Sequence, residues 1–292
     1  MVEVYDVLAK EERDIYEDMF VFSERHDLRY VLSVPHSGKF IPLSIVNQFH
    51  VGRDILIGSD LHTEYLYDLK CGIRVVCRLN NYAVNMNRAI AGNNNGYAKH
   101  MKDDPLHGSL LTGQPARRKE ATQDEKQYLL SFYHQYHSLL LGSLDLVRDV
   151  HGFALLFDCH SLNSVGLKGV PDEGKERPDF CLGTLDDTSA DPRIIDACYH
   201  ALQKEATVYG YTVAKNAPYK GGFITQHYGS PKEGVHAIQL EVKKSLYMHE
   251  GLGAQLLSDF TIREGELMIV SSIIRKAFDA AFDEAKRVCA KK

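Results

Sequence analysis

Short runs of apolar, β-branched and aromatic residues recur along this chain, separated by longer stretches with helical spacing, and that alternation constrains the fold more than any other feature. Tyr30 to Val34 reads as a buried strand that stops at Pro35. Ile73 to Cys77 and Tyr82 to Met86 read as two more, joined by a turn at Asn80-Asn81, and Phe153 to Phe157 is an apolar run ending in Asp158-Cys159-His160. Asp179 to Leu182, Tyr211 to Ala214 and His236 to Leu240 complete the expected strands. Helices are marked by their ends. Thr122 with Glu125 forms a capping box, opening a helix with Leu129, Phe132, Tyr133, Tyr136, Leu140 and Leu144 on one side. Asp191-Pro192 supplies an N-cap with proline behind it and Gly210 the stop, while Leu267, Val270, Ile274 and Phe278 space out a last helix over about Glu266 to Val288. The pattern predicts an α/β fold: a mixed, mostly parallel sheet with helices on both faces. Its 292 residues suffice for one large core, and with no repeat or linker evident a single domain over residues 1–292 is expected.

In such sheets ligands bind beyond the carboxyl ends of the strands, so chemistry is sought in the polar residues there. Pro35-His36-Ser37-Gly38, Asp158-Cys159-His160-Ser161 and Gln239-Leu240-Glu241 all follow expected strands, and Ser59-Asp60-Leu61-His62-Thr63-Glu64 opens a helix carrying Tyr65, Leu66 and Leu69. The loops Gly92 to Gly96, Gly166 to Gly174 and Pro218 to Gly222 have the composition of active-site loops. Two histidines and a carboxylate with an open fourth position make a catalytic zinc site, which activates water and polarises a carbonyl. An unligated carboxylate must then carry the proton, a role that suits Glu241 at the end of its strand. Alternatives stand beside each reading. Asp158 also suits a salt bridge, a loop cap or a group orienting His160, and Glu241 also suits a pairing with a neighbouring lysine. Cys159, between Asp158 and His160, should face the opposite side of its strand and point into the packing.

Composition removes other classes. A net charge of -5 and a pI near 6.3 leave no basic footprint for nucleic acid or anionic lipid. No stretch approaches 18 uninterrupted apolar residues, and no Gly-x-Ser-x-Gly, Walker loop or Gly-x-Gly-x-x-Gly occurs. Six scattered cysteines without a Cys-x-x-Cys pair fit buried thiols in a reducing compartment, and the early Glu3, Asp6 and Glu11 to Arg13 fit no signal peptide, so a cytoplasmic protein is expected.

Seven segments taken in order resemble the N-formylglutamate amidohydrolase family, whose fold is related to zinc carboxypeptidases and aspartoacylase-like deacylases. They are Val34-Pro35-His36-Ser37-Gly38 with Ile41-Pro42; Ser59 to Tyr67; Asn85-Met86-Asn87-Arg88; Asp158-Cys159-His160-Ser161; Asp179 to Gly183; Gly221-Gly222-Phe223-Ile224-Thr225; and Gln239-Leu240-Glu241-Val242 with Leu246-Tyr247-Met248. The resemblance runs from about Val31 to Glu250. It implies Zn2+ held by His36, Asp60 and His160, with Glu64, one helical turn on, as the alternative carboxylate. It implies Glu241 as the acid–base residue and Asn87 with Arg88 as the grip on a substrate α-carboxylate, since a guanidinium offers two parallel donors. Gly222 and Thr225 fall in a loop expected to let substrate approach the backbone.

The chain departs from the family pattern at Asn80-Asn81, where Ser-Arg is usual, at Asn85, where Asp is usual, and at Lys243-Lys244, where Asn-Arg is usual. On a continuing strand Lys243 shares the face of Glu241, which makes it the expected contact for a second, side-chain carboxylate. The activity implied is hydrolysis of the amide bond of an N-acyl amino acid, foremost N-formyl-L-glutamate to formate and L-glutamate, a step of histidine breakdown. The implied partner is a small molecule, with neither nucleic acid nor membrane involved. An exopeptidase or deacylase of another amide, and a catalytically silent binding relative, are the alternatives; the intact set of His36, Asp60, His160 and Glu241 disfavours the second.

Overall fold

Val31–Val34 and Ala154–Leu162 are buried at every position, as strands covered on both faces must be. The computed structural model describes residues 9–10, 20–23, 27–50, 53–90, 104–106, 108–110, 113–250 and 260–289. Its strands are β1 (Ala9–Lys10), β2 (Phe20–Ser23), β3 (Val31–Val34), β4 (Ile41–Pro42), β5 (Ile73–Cys77), β6 (Ala154–Leu162), β7 (Phe180–Gly183), β8 (Val213–Lys215) and β9 (Val235–Lys243). Seven of them form one sheet in the order β2-β5-β3-β6-β9-β7-β8, and β1 pairs with β4 apart from it. The centre, β5-β3-β6-β9, is parallel throughout. At the margins β2 runs antiparallel to β5 and β7 antiparallel to β9, while β8 lies parallel to β7. The sheet is therefore mixed and mostly parallel.

The helices are α1 (Leu43–Val46), α2 (Arg53–Ile57), α3 (Thr63–Leu66), α4 (Gln123–His151), α5 (Pro192–Thr207), α6 (Phe223–Tyr228) and α7 (Glu264–Cys289). Register decides what each face carries. Ser33 pairs with Asp158, Asp158 with Gln239 and His160 with Glu241, so these five side chains share one face. That face is covered by α4, whose Tyr136 hydroxyl lies 2.9 Å from Ser33 Oγ. The opposite face carries Phe157, stacked on Phe278 of α7 at 3.5 Å between ring centroids, with Tyr30 edge-on to both. Helices cover both faces, as the alternation predicts.

The capping box at Thr122 and the Asp191 cap with Pro192 both form as expected. Four expectations need correction. Tyr82 to Met86 is not a strand: the segment is buried, but its amides bond locally or to a loop, Tyr82 N and Ala83 N to Asn80 and Asn85 N to the Pro105 carbonyl. β6 and β9 run on through the polar residues expected to end them, because buried partners satisfy those side chains inside the ladder. The helix after Asp60 is one turn long, entered through His62 in the left-handed region at φ 65°, so Leu69 lies outside it. β2, a short edge strand, is an addition. The loop Gly92 to Gly96 and the N-terminal acids lie outside the described residues. Among the described residues no helix is long and apolar enough to cross a membrane.

Candidate active site

His36 follows β3, Asp60 lies between α2 and α3, and His160 is carried by β6. The backbone brings the first two together, since the Asp60 amide donates to the His36 carbonyl at 2.9 Å. One ligand atom from each of the three lies within 4.8 Å of the others. Asp60 Oδ2 is 3.2 Å from His160 Nδ1 and 3.6 Å from His36 Nδ1, so both rings turn the same nitrogen inward. Each ring is anchored by its other nitrogen. His160 Nε2 donates to Asp158 Oδ1 at 3.0 Å, and His36 Nε2 to Asn85 Oδ1 at 2.8 Å. Asn85 Oδ1 also receives the Asn87 amide and can only accept, which fixes the His36 proton on Nε2. Ser161 Oγ donates to Asp60 Oδ1 at 3.1 Å and leaves Oδ2 facing the histidines.

Electrostatics fit the same use. Burial alone would depress the His160 pKa, yet Asp158 and Asp60 outweigh it and hold the imidazole well above its ordinary range. Burial would raise Asp60, and the two histidines hold it low instead. Such a cluster stabilises positive charge at its centre. Two Nδ1 atoms and one carboxylate oxygen, each fixed from behind, suit a divalent cation such as zinc. Glu64, the alternative ligand, is turned away and pairs with Arg78 at 3.1 Å.

Asp158, with no exposed surface, holds this arrangement from behind. It accepts from Ser33 Oγ at 3.2 Å, Asn87 Nδ2 at 3.3 Å and Thr225 Oγ1 at 3.4 Å besides His160. Asn87 accepts the Ile224 amide at 2.7 Å, which ties α6 to the segment 85–88. Helix α4 holds the same segment by its backbone. Tyr133 donates to the Arg88 carbonyl at 2.9 Å, and one turn on His137 Nε2 donates to the Met86 carbonyl at 3.0 Å. Burial lowers the His137 pKa to about 4, which keeps that ring neutral.

These residues open on a cavity of about 1030 Å³, lined by His36, Asp60, His160 and Glu241 among others. Glu241, on β9 beside His160, is buried, and burial pushes its carboxyl up to about 8 against the pull of His160. Gln239 orients it: Gly222 N donates to Gln239 Oε1 at 2.7 Å, and Gln239 Nε2 donates to Glu241 Oε1 at 2.9 Å. A carboxyl poised near neutrality, with Oε2 left to carry the proton, is equipped for acid–base work. Cys159 faces away from the cavity and is fully buried, as expected.

Asn87, Arg88 and Gly222 line the cavity. Gly222 is required by packing, since a Cβ there would meet Asn87 Nδ2 at 2.4 Å. Two other expectations are corrected. Thr225 is fully buried behind the wall and serves Asp158 rather than the cavity. Lys243 turns away and pairs with Asp179 at 2.9 Å, while Lys244 lines the cavity instead. The strand ends at Lys243 and a 3-10 turn begins at Lys244, so alternation no longer assigns the faces. Arg177, Gln239, Ser161 and the holding role of Asn85 were missed. Gln239 is the one with a sequence signal, since it shares a strand face with Glu241 two residues away.

Residues 28–248 match the family model described as N-formylglutamate amidohydrolase. An N-formylglutamate deformylase from Pseudomonas putida is 30% identical over 270 residues, which cover 87% of this chain and 92% of that protein. A second, from Pseudomonas aeruginosa, is 29% identical over 239 residues, covering 75% and 82%. The crystal structure of an N-formylglutamate amidohydrolase from Ralstonia eutropha superposes with a TM-score of 0.73 at 21% identity, covering 94% of this chain and 99% of that one. A gene product of Agrobacterium tumefaciens superposes at 0.66 with 15% identity, covering 91% and 95%. These two structures bear on the fold, which they share with this chain.

Proposed function

The chain belongs to the N-formylglutamate amidohydrolase family, and on that premise we propose that it hydrolyses N-formyl-L-glutamate to formate and L-glutamate, with zinc held by His36, Asp60 and His160. The observation that carries this reading is the convergence of those three ligand atoms within 4.8 Å, beside a buried carboxyl that is not one of them. Bound there, zinc polarises the scissile carbonyl and makes the attacking water more acidic. Glu241 Oε2 takes the proton from that water as the new C–O bond forms, and returns it to the nitrogen as the C–N bond breaks. Gln239 holds Oε1, so the proton is carried on one oxygen. Arg88, at the cavity wall and fixed through its carbonyl by Tyr133, receives the α-carboxylate.

All six cysteines are free, five of them buried, which supports a reducing, cytoplasmic setting; a place in histidine breakdown follows only from the proposed substrate. The test is a quantitative assay of formate and amine. N-formyl-L-glutamate should yield the two in equal amounts, its α-amide should be a poor substrate, and Arg88→Ala should cost kcat/KM about 2–3 kcal/mol. Faster release from N-acetyl or N-formyl-leucine compounds would assign the site to another deacylation.

A further inference from the structure

The two histidines of the cluster are alike in geometry and unlike in what stands behind them. Both turn Nδ1 toward Asp60 and give the Nε2 proton to a fixed acceptor. Behind His160 that acceptor is Asp158, a fully buried carboxylate at 3.0 Å that also accepts from Ser33, Asn87 and Thr225. Behind His36 it is the side-chain amide of Asn85, an uncharged oxygen at 2.8 Å that also receives the Asn87 N–H at 2.9 Å. An imidazole N–H donated to a carboxylate pushes electron density toward the other ring nitrogen. Donated to an amide oxygen it pushes less, since only the carboxylate bond is charge-assisted. The rest of the His36 setting points the same way. Its Nδ1 lies 3.6 Å from Asp60 Oδ2 where that of His160 lies at 3.2 Å, and its side chain is 11% exposed against 4%. His36 sits on the loop after β3, whereas His160 is held inside β6, paired with Glu241 of β9.

We propose that Asn85 is a positioning residue that sets how tightly the metal is held: its uncharged oxygen makes His36 the weaker of the two histidine ligands, the one released when the ion leaves. Asp60 and His160 form the firm pair, the carboxylate steadied by Ser161 and the imidazole by Asp158. Asn85 is also one of the positions at which this chain departs from the family pattern, so the device belongs to this chain. The inference rests on the proposed reading of the cluster as a zinc site.

The experiment reads zinc binding rather than turnover. Affinity is measured at neutral pH by competition with a chromophoric chelator, and the rate of zinc loss by transfer to an excess of it. Asn85→Asp keeps the side-chain shape and the accepting oxygen and adds the charge. It should bind zinc roughly 10-fold more tightly than the wild type and release it correspondingly more slowly. Asp158→Asn, the converse change behind His160, should weaken binding by roughly 10–100-fold. His36→Ala should lose less affinity than His160→Ala. General damage to the fold loosens zinc, so it does not imitate the gain expected of Asn85→Asp. Wild-type affinity or weaker binding in Asn85→Asp overturns the role of Asn85, and a greater loss in His36→Ala than in His160→Ala overturns the order of the two ligands. The zinc reading is scored by the alanine variants. Zinc lost from both, with no gain in Asn85→Asp, would sink Asn85 alone, whereas wild-type binding by both would place the metal elsewhere and sink the two together.

Discussion

Glu241→Gln keeps the side-chain shape and removes its ability to carry a proton. Turnover should fall by about 100-fold or more while zinc content stays that of the wild type. Near-normal turnover would contradict the assignment, and loss of zinc with turnover would make Glu241 a ligand. The proposed reacting groups were the legible part of the site at this scale. His36, His160 and Glu241 follow expected strands and Asp60 opens an expected helix, and the structure brings all four to one cavity. The groups that hold them were not legible, because an amide acquires its role from what it meets in space. Asn85 orients His36 only because a turn carries it there; Gln239 shares a strand face with Glu241, but its aim is set by a bond from Gly222 that no local pattern records. Lys244 was misjudged for its neighbour because strand alternation was extended one residue past the end of the strand.

Helix α4 acts as a clamp on the segment that backs the histidines, gripping the carbonyls on either side of Asn87 from two positions one turn apart. Tyr133→Phe removes one grip at a cost of about 1 kcal/mol. Because that carbonyl belongs to Arg88, the loss should appear as a raised KM with kcat nearly kept; unchanged steady-state constants would show the clamp to be idle. A second element-scale device joins β7 to β8. Asp179 accepts from Thr212 N and Oγ1 at 2.8 Å each and pairs with Lys243. Burial raises the Asp179 pKa, but these bonds together hold it below the ordinary value. Its stabilisation is therefore present above the unfolded-state pKa and is lost as pH falls through the folded-state value. The melting-temperature gap between wild type and Asp179→Asn should be widest near neutral pH and close below about pH 4. A gap constant with pH would contradict this. Elements with terminal signals, such as α4 and α5, were readable from sequence, whereas Tyr82 to Met86 was not. Its apolar residues are buried by the core above them while its backbone follows a turn, and periodicity senses burial alone.

At the scale of the whole molecule, one sheet carries the candidate site on one face and apolar packing on the other. Ser33, Asp158, His160, Gln239 and Glu241 face α4 and the cavity, and Phe157 faces Phe278. Phe278→Ala should cost about 3–5 kcal/mol, read as a lowered melting temperature without loss of zinc stoichiometry. A melting temperature like the wild type's would mean the stacked pair carries little of the core. We propose one domain over residues 1–292, so the loss should come as a shift of one transition. The mixed, mostly parallel architecture was legible because buried parallel strands and capped helices leave their marks locally. Strand order was not, since β6 meets β9 across 72 intervening residues by packing that no local pattern records.

The measurement closest to the central claim is a zinc titration of chelator-stripped protein, followed by formate release from N-formyl-L-glutamate at each step. Activity should be absent at the start, rise in proportion to added zinc and level off at about one ion per chain. His160→Ala, which removes the inward Nδ1, should stay inactive through the same titration. Full activity in the stripped protein, or a wild-type response that His160→Ala reproduces, would contradict the account.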